Sequence, residues 1–263
     1  GSGHASLTMR QDWREQLTRC AKDLGVKRTR FHGLMDDDFS ISISESTDSY
    51  YNLDSMVDFH LSIGMEPLFE VSFTPSWLAQ NTSQTVTHYK GITSPPKNLK
   101  AWGGVINRLG THLATRYPDH SFMFEIWNEP NGGFFTPSDS DQQSAYFDLY
   151  NETALALRAA SNKFRIGGPA TAGCGSWTAA LKNFTDINSI PLDFVSCHVY
   201  GGGGQEASVG IVSHVIGPLA STQRAAGGLP VAITEWSSSW MYTIDYHDEP
   251  ASAPFIVDAV SQM

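Results

Sequence analysis

The sequence is poor in charge, in basic residues and in cysteine. Only 17% of its 263 residues are charged, and acids outnumber bases by 27 to 17, a formal net charge of -10. A nucleic-acid partner would call for a basic patch or stripe, and this balance excludes one. No apolar run has the length of a membrane helix, and no signal peptide is visible, so no membrane association is expected. The three cysteines, Cys20, Cys174 and Cys197, form no metal-ligand pattern. Their odd number leaves at least one unpaired within the chain, and buried thiols are the expectation. The run Gly201 to Gly204 lacks both a GxGxxG arrangement and a following ribose carboxylate, which excludes a dinucleotide site. Met35-Asp36-Asp37-Asp38 is too acidic to read as core, and it lacks the spacing of an EF-hand calcium loop. Neither a metal nor a cofactor is therefore expected.

What the sequence does contain is an alternation. Met9 to Leu24 reads as an amphipathic helix with Trp13, Leu17, Cys20, Ala21 and Leu24 on one stripe and Gly25 stopping it. Strand-like segments follow at 26–31, 67–73, 122–127, 164–169, 192–200 and 230–234. Helical segments lie between them at 53–63, 99–117, 142–160, 176–184 and 207–226, the last interrupted near Gly217-Pro218, and another begins near Ala253. Residues 80–97 turn to Thr, Ser, Pro and Asn, the composition of a surface loop. No linker divides the chain, so residues 1–263 read as a single domain. Short, continuously apolar strands separated by helices imply parallel pairing with both faces covered. Polar residues end strand after strand: His32, Glu70, Glu129, His198, Glu235. Function spread over many strand ends is the pattern of a TIM-type (β/α)8 barrel, where a doubly wound sheet would concentrate it at one switch point.

Two of these strand ends are chemically pointed. In Phe122-Met123-Phe124-Glu125-Ile126-Trp127-Asn128-Glu129-Pro130 a buried strand runs into a carboxylate, and Pro130 ends the ladder. Val231-Ala232-Ile233-Thr234-Glu235-Trp236 repeats the arrangement. A carboxylate at the lip of a buried strand costs several kcal/mol unless paired or protonated. Two of them in one cleft are what glycoside hydrolysis requires. The aromatic content of 11% suits a carbohydrate site but equally a large core. Sequons at Asn81, Asn151 and Asn183 favour a secreted or lysosome-like compartment.

These motifs, in order, resemble glycoside hydrolase family 39, the retaining β-xylosidases and α-L-iduronidases. The likeness spans nearly the whole chain: Gly1-Ser2-Gly3-His4-Ala5-Ser6-Leu7, Arg30-Phe31-His32-Gly33, Glu70-Val71-Ser72-Phe73, Trp127-Asn128-Glu129-Pro130, Gly167-Gly168-Pro169-Ala170, Asp193-Phe194-Val195-Ser196 with His198 and Tyr200, and Thr234-Glu235-Trp236-Ser237. The resemblance implies a (β/α)8 barrel of which strands two to seven are present and the first and eighth missing, so that the chain would be a catalytic barrel truncated at both ends. It implies a retaining hydrolase acting on an oligosaccharide, glycoside or polysaccharide, with Glu129 as acid/base and Glu235 as nucleophile. It also implies a substrate-binding ring of Asn128, His32, His198 and Tyr200. Arg30 is expected to pair with a carboxylate inside the barrel, and Glu70 to be either its partner or part of the substrate wall. Trp77, Phe134, Trp236 and Trp240 are the candidate sugar-facing aromatics. An iduronidase-like member would have lysine where Tyr200 stands, which favours a neutral sugar of xylosidase type. The remaining alternatives are an endo-acting polysaccharide hydrolase and a non-catalytic carbohydrate-binding remnant of such a barrel.

Overall fold

The computed structural model describes residues 3–138, 141–202, 210–241, 245–250 and 252–263. Its centre is a six-stranded parallel sheet whose spatial order is the chain order. Its strands are numbered β1 (Arg28–Phe31), β2 (Glu66–Val71), β3 (Met123–Ile126), β4 (Arg165–Ala172), β5 (Phe194–Tyr200) and β6 (Val231–Ser237). Around it lie α1 (Gln11–Leu24), α2 (Tyr51–Ser62), α3 (Leu99–Arg116), α4 (Gln142–Ala160), α5 (Ser176–Asn188), α6 (Val212–Ile216), α7 (Leu219–Ala225) and α8 (Ser252–Gln262). All six strands expected from the alternation are present. The start of the expected 207–226 helix, and the end of the Gly201 to Gly204 run, fall outside the described residues.

Local chemistry sets the helix ends. Gly25 closes α1 in the left-handed conformation, φ 68°, with its N–H on the Cys20 carbonyl. Asn98 and Asp141 cap α3 and α4 by accepting from Ala101 N and Ser144 N, both at 3.0 Å. Helices α3 and α4 approach closely because Gly110 has no side chain; a Cβ there would stand 2.8 Å from that of Ala160. The core between sheet and helices is aromatic, with Phe69, Phe122, Phe124 and Phe164 in mutual ring contact.

Four expectations need correction. Leu24 belongs to the apolar stripe of α1 by spacing, yet in the last turn it is 76% exposed. The 80–97 segment contains a short antiparallel ribbon, Thr85–Val86 with Gly91–Ile92. The acidic lip is partly core, since Met35 and Asp36 are buried and Phe73 N donates to Asp36 Oδ1 at 3.1 Å. Cys174 and Cys197 form a disulfide, because the loop after β4 folds back beside β5 and brings their Cα atoms within 5.1 Å. Only Cys20 is free. Thiol titration of the unfolded chain should therefore give one reactive group before reduction and three after it.

The sheet is nearly closed, with helices outside, in the manner of a (β/α) barrel. Its edges, β1 and β6, approach each other through side chains: Arg30 Nη1 on β1 lies 2.5 Å from Glu235 Oε1 on β6. Below this contact a cavity of about 470 Å³ opens between the edges, lined by Arg28, Thr29, Leu68, Ala232, Ile233 and Trp236 among others. At the upper end of β1, His4 pairs in parallel with His32.

Candidate active site

The polar strand ends converge at the carboxyl-terminal mouth of the sheet. Asn128 and Glu129 sit just past β3 on an unusual turn in which Trp127 and Glu129 have φ of 72° and 41°. A non-glycine residue holds positive φ only where its surroundings compel it. Here the buried Trp127 indole donates to the Phe134 carbonyl at 2.8 Å, and Glu129 N donates to the Ala170 carbonyl at 2.9 Å. The turn aims the Glu129 carboxylate into the mouth. Glu235 reaches it from within β6 rather than from beyond its end, at a register shift against β5 between Ile233 and Glu235. One carboxylate oxygen from each, together with a ring nitrogen of His198, lie within 4.8 Å of one another.

The two carboxylates have different neighbours. Glu129 Oε1 lies 2.8 Å from His198 Nδ1. Glu235 Oε2 accepts from the Tyr200 hydroxyl at 2.6 Å, while Oε1 faces Arg30 Nη1 at 2.5 Å and His32 Nε2 at 3.3 Å. Burial acts to raise the Glu235 carboxyl, but Arg30, His198 and His32, with the Tyr200 bond, outweigh it and hold it far below the usual carboxylate range. Burial and the charge of Glu235 push the Tyr200 phenol up, so it stays a donor.

Beneath the pair lies a buried charge network. In the register of the sheet, Glu70 on β2 stands directly beside Glu125 on β3, and both are fully buried. Two adjacent buried carboxylates require a cation. Arg30 supplies it: Nε bonds Glu125, and Nη2 lies 2.8 Å from both Glu70 Oε2 and Asn128 Oδ1. Glu125 also accepts from the Thr234 hydroxyl at 2.6 Å, and Glu70 from that of Ser72. His32 Nδ1 lies 2.8 Å from Glu70. Burial works against charge on His32, but the charge and hydrogen bond of Glu70, with the charge of Glu235, outweigh it, so the imidazole pKa is raised.

A cavity of about 420 Å³ opens above Glu129 and Glu235, lined also by His32, Asn128, Tyr200, Phe134 and Trp240. His198 reaches it through Glu129. Three expected lining residues are elsewhere. Glu70 is fully buried, paired with Arg30 and His32. Trp77 donates to the Ser42 carbonyl at 3.2 Å and packs on the core, and Trp236 faces Phe255 of α8 at 6.2 Å. Alternation along β6 explains the last: if Glu235 points inward, its neighbour points out. Glu125 was missed as a functional neighbour, although a carboxylate inside the apolar run Phe122 to Trp127 was the signal for it.

Comparison with known proteins accords with this geometry. The model for glycosyl hydrolases family 39 matches residues 1–263. The chain is 38% identical over 280 residues to a β-xylosidase of Caldicellulosiruptor saccharolyticus, covering 99% of this chain and 56% of that protein. The crystal structure of a monomeric β-xylosidase from Caulobacter crescentus CB15 superimposes with a TM-score of 0.87 at 31% identity, over 99% of this chain and 56% of that one. That of a family 39 enzyme from Xanthomonas axonopodis pv. citri gives 0.88 at 31% identity, over 99% and 54%. The chain thus spans about half the length of the relatives it matches.

Proposed function

The chain belongs to glycosyl hydrolase family 39, and from that premise we propose that it carries the catalytic centre of a retaining glycosidase acting on a neutral sugar, of β-xylosidase type. The observation that supports this most is the unequal carboxylate pair. Retention needs two carboxyl groups about 5–5.5 Å apart, one attacking and one transferring protons. Glu235, ionised under Arg30, is suited to attack the anomeric carbon. Glu129 donates its proton to the leaving oxygen and then takes one from water as the glycosyl-enzyme is hydrolysed. Asn128, fixed by Arg30, is placed for a sugar hydroxyl, and Phe134 and Trp240 offer apolar walls. Tyr200, an uncharged donor on Glu235, gives no cation for a substrate carboxylate, which supports a neutral sugar over a uronic acid.

The architecture supports a finer reading. We take the six strands as the second to seventh of an eight-stranded barrel, the other two belonging between the edges β1 and β6. For the compartment we favour a secreted or lysosome-like one. The disulfide suits an oxidising environment, and the Asn81 sequon lies in a loop, whereas those at Asn151 and Asn183 start within helices.

The test is trapping with a 2-deoxy-2-fluoro-xyloside bearing an activated leaving group, which slows hydrolysis of the intermediate. The expected result is stoichiometric inactivation with the label on Glu235. A label on Glu129, or hydrolysis of an ordinary xyloside with inversion, would overturn the assignment.

A further inference from the structure

A second cluster of potential ligands lies outside the catalytic mouth. His4 Nε2 is 3.4 Å from Asp36 Oδ2 and 3.3 Å from Asp38 Oδ1. His4 and Asp36 are 4% and 6% exposed, and among the described residues neither His4 Nε2 nor Asp36 Oδ2 has a partner in hydrogen-bond geometry; they face each other only at the ion-pair distance of 3.4 Å. Buried polar atoms left without partners are costly and call for an explanation. We propose that His4, Asp36 and Asp38 form a binding site for one small transition-metal dication, Zn²⁺ in preference, which ties the amino-terminal segment to the loop after β1.

The spacing favours a shared ion over a hydrogen bond. N–H···O bonds cluster near 2.9–3.0 Å. Ligand atoms about 2.0–2.2 Å from one zinc in tetrahedral geometry stand about 3.3–3.5 Å from each other; His4 Nε2 stands at that distance from each carboxylate oxygen, and all three atoms lie within 4.8 Å of one another. The imidazole is also held as a ligand is held. Its Nδ1 lies 2.9 Å from Ser6 Oγ, and its ring stacks on Tyr89 with centroids 3.8 Å apart, so Nε2 is aimed at the carboxylates. Asp36 is positioned from its other oxygen by Phe73 N. Gly33 leaves the room required: a Cβ there would stand 2.3 Å from Asp36 Oδ2 and 2.9 Å from the His4 ring. Charge agrees as well, since a dication with a neutral imidazole and two carboxylates sums to zero. The half-exposed Asp38 borders a concavity of about 220 Å³ with Thr74 and Tyr89, which gives an approach for the ion and room for a water ligand. An imidazole ligand favours zinc over calcium or magnesium.

The site would act on the backbone of the catalytic mouth. Ala5 N donates to the His32 carbonyl and His32 N to the Gly3 carbonyl, each at 2.8 Å. An ion on His4 therefore clamps the strand end that presents the His32 ring to Glu235.

The experiment is calorimetric titration of the EDTA-stripped, dialysed chain with ZnCl₂, alongside thermal melts in ZnCl₂ and CaCl₂. We expect one high-affinity Zn²⁺ per chain, a melting temperature several degrees higher in zinc, and no comparable effect of calcium. Asp38→Ala, at a half-exposed position, should fold and lose about 100-fold or more in zinc affinity; His4→Gln should behave alike. Glu235→Gln should bind zinc as the parent does, because among the described residues the other two histidine–carboxylate clusters both contain Glu235. Absence of zinc binding by the parent chain would overturn the proposal and leave Lys90, which borders the same concavity, as the counter-charge. Binding that survives both Asp38→Ala and His4→Gln, or is lost in Glu235→Gln, would overturn it equally. An equal response to calcium would replace the transition metal by a hard cation and overturn the assignment to zinc.

Discussion

Replacing Glu235 by alanine should lower turnover of an aryl xyloside by about 10⁴-fold or more, because no glycosyl-enzyme can form without the nucleophile. A better leaving group should not help this variant. Azide, entering the space the carboxylate leaves, should give only the product of inverted configuration. Glu129→Ala should behave oppositely. Loss of the proton donor costs about 10²–10⁴-fold on an unactivated xyloside, but an acidic phenol departs with little protonation, so the intermediate still forms rapidly. Its hydrolysis then slows, since the same residue is the base toward water. Azide, which needs no base, should restore turnover and give the β-glycosyl azide. Steady-state rates with both leaving groups, and the anomeric configuration of the azide product, check the pair. If Glu235→Ala kept its rate on activated substrates and gave the retained adduct, the two roles would be exchanged. Near-normal rates for both variants on unactivated xylosides would remove the catalytic reading.

Arg30→Met should cost about 3–5 kcal/mol of stability, because it leaves buried carboxylates without their cation. That is a large part of the 5–15 kcal/mol typical of a folded domain, so the variant is best measured beside Arg30→Lys, which keeps a charge but cannot serve Glu70, Glu125, Glu235 and Asn128 together. The pH dependence tells a charge effect from lost packing. In the parent, burial works to raise the Glu70 and Glu235 carboxyls; Arg30, the largest opposing charge, outweighs it together with His32 and the hydrogen bonds to each, and for Glu235 also with His198, so both lie below their ordinary values. A depressed carboxyl contributes stability that is present above its unfolded pKa, about 4.3 for glutamate, and is lost as pH falls through the folded value. The raised imidazole of His32 has the opposite sign: its contribution is complete below about 6.5 and is lost as pH rises through the folded value. The parent should thus weaken on both sides of a mildly acidic plateau. In Arg30→Met the largest charge opposing burial is gone and the remaining partners are too weak to balance it, so denaturant midpoints should rise as pH is lowered from about 6 toward 4.5. A variant whose midpoint stays level between about pH 6 and 4.5, as the parent's plateau does, would show that Arg30 does not govern these carboxylates.

Much of this molecule was legible in the order of its residues. The alternation of short apolar strands with periodic helices needs only local spacing, and it located all six strands, including β3 and β6 with their carboxylates. Gly25 as a helix stop and the two carboxylates themselves were equally legible, because a charge at the end of a buried run is conspicuous before any partner is known. What only the tertiary structure decided concerns groups far apart in the chain. The sequence allowed Arg30 one carboxylate partner; the sheet places Glu70 beside Glu125 in register and Glu235 across the barrel, so one guanidinium serves all three. Glu70 was undecided between wall and partner because a strand pattern tells which residues alternate, not what faces them. Trp77 and Trp236 turned away from the cavity for the same reason, and Cys174 met Cys197 because a loop folded back. The cluster of His4, Asp36 and Asp38 was invisible as a set, since its members come from the amino-terminal segment and the loop after β1, which only the pairing of His4 with His32 brings together. Local spacing determines secondary structure, whereas burial and charge pairing depend on through-space distance, which the sequence does not contain.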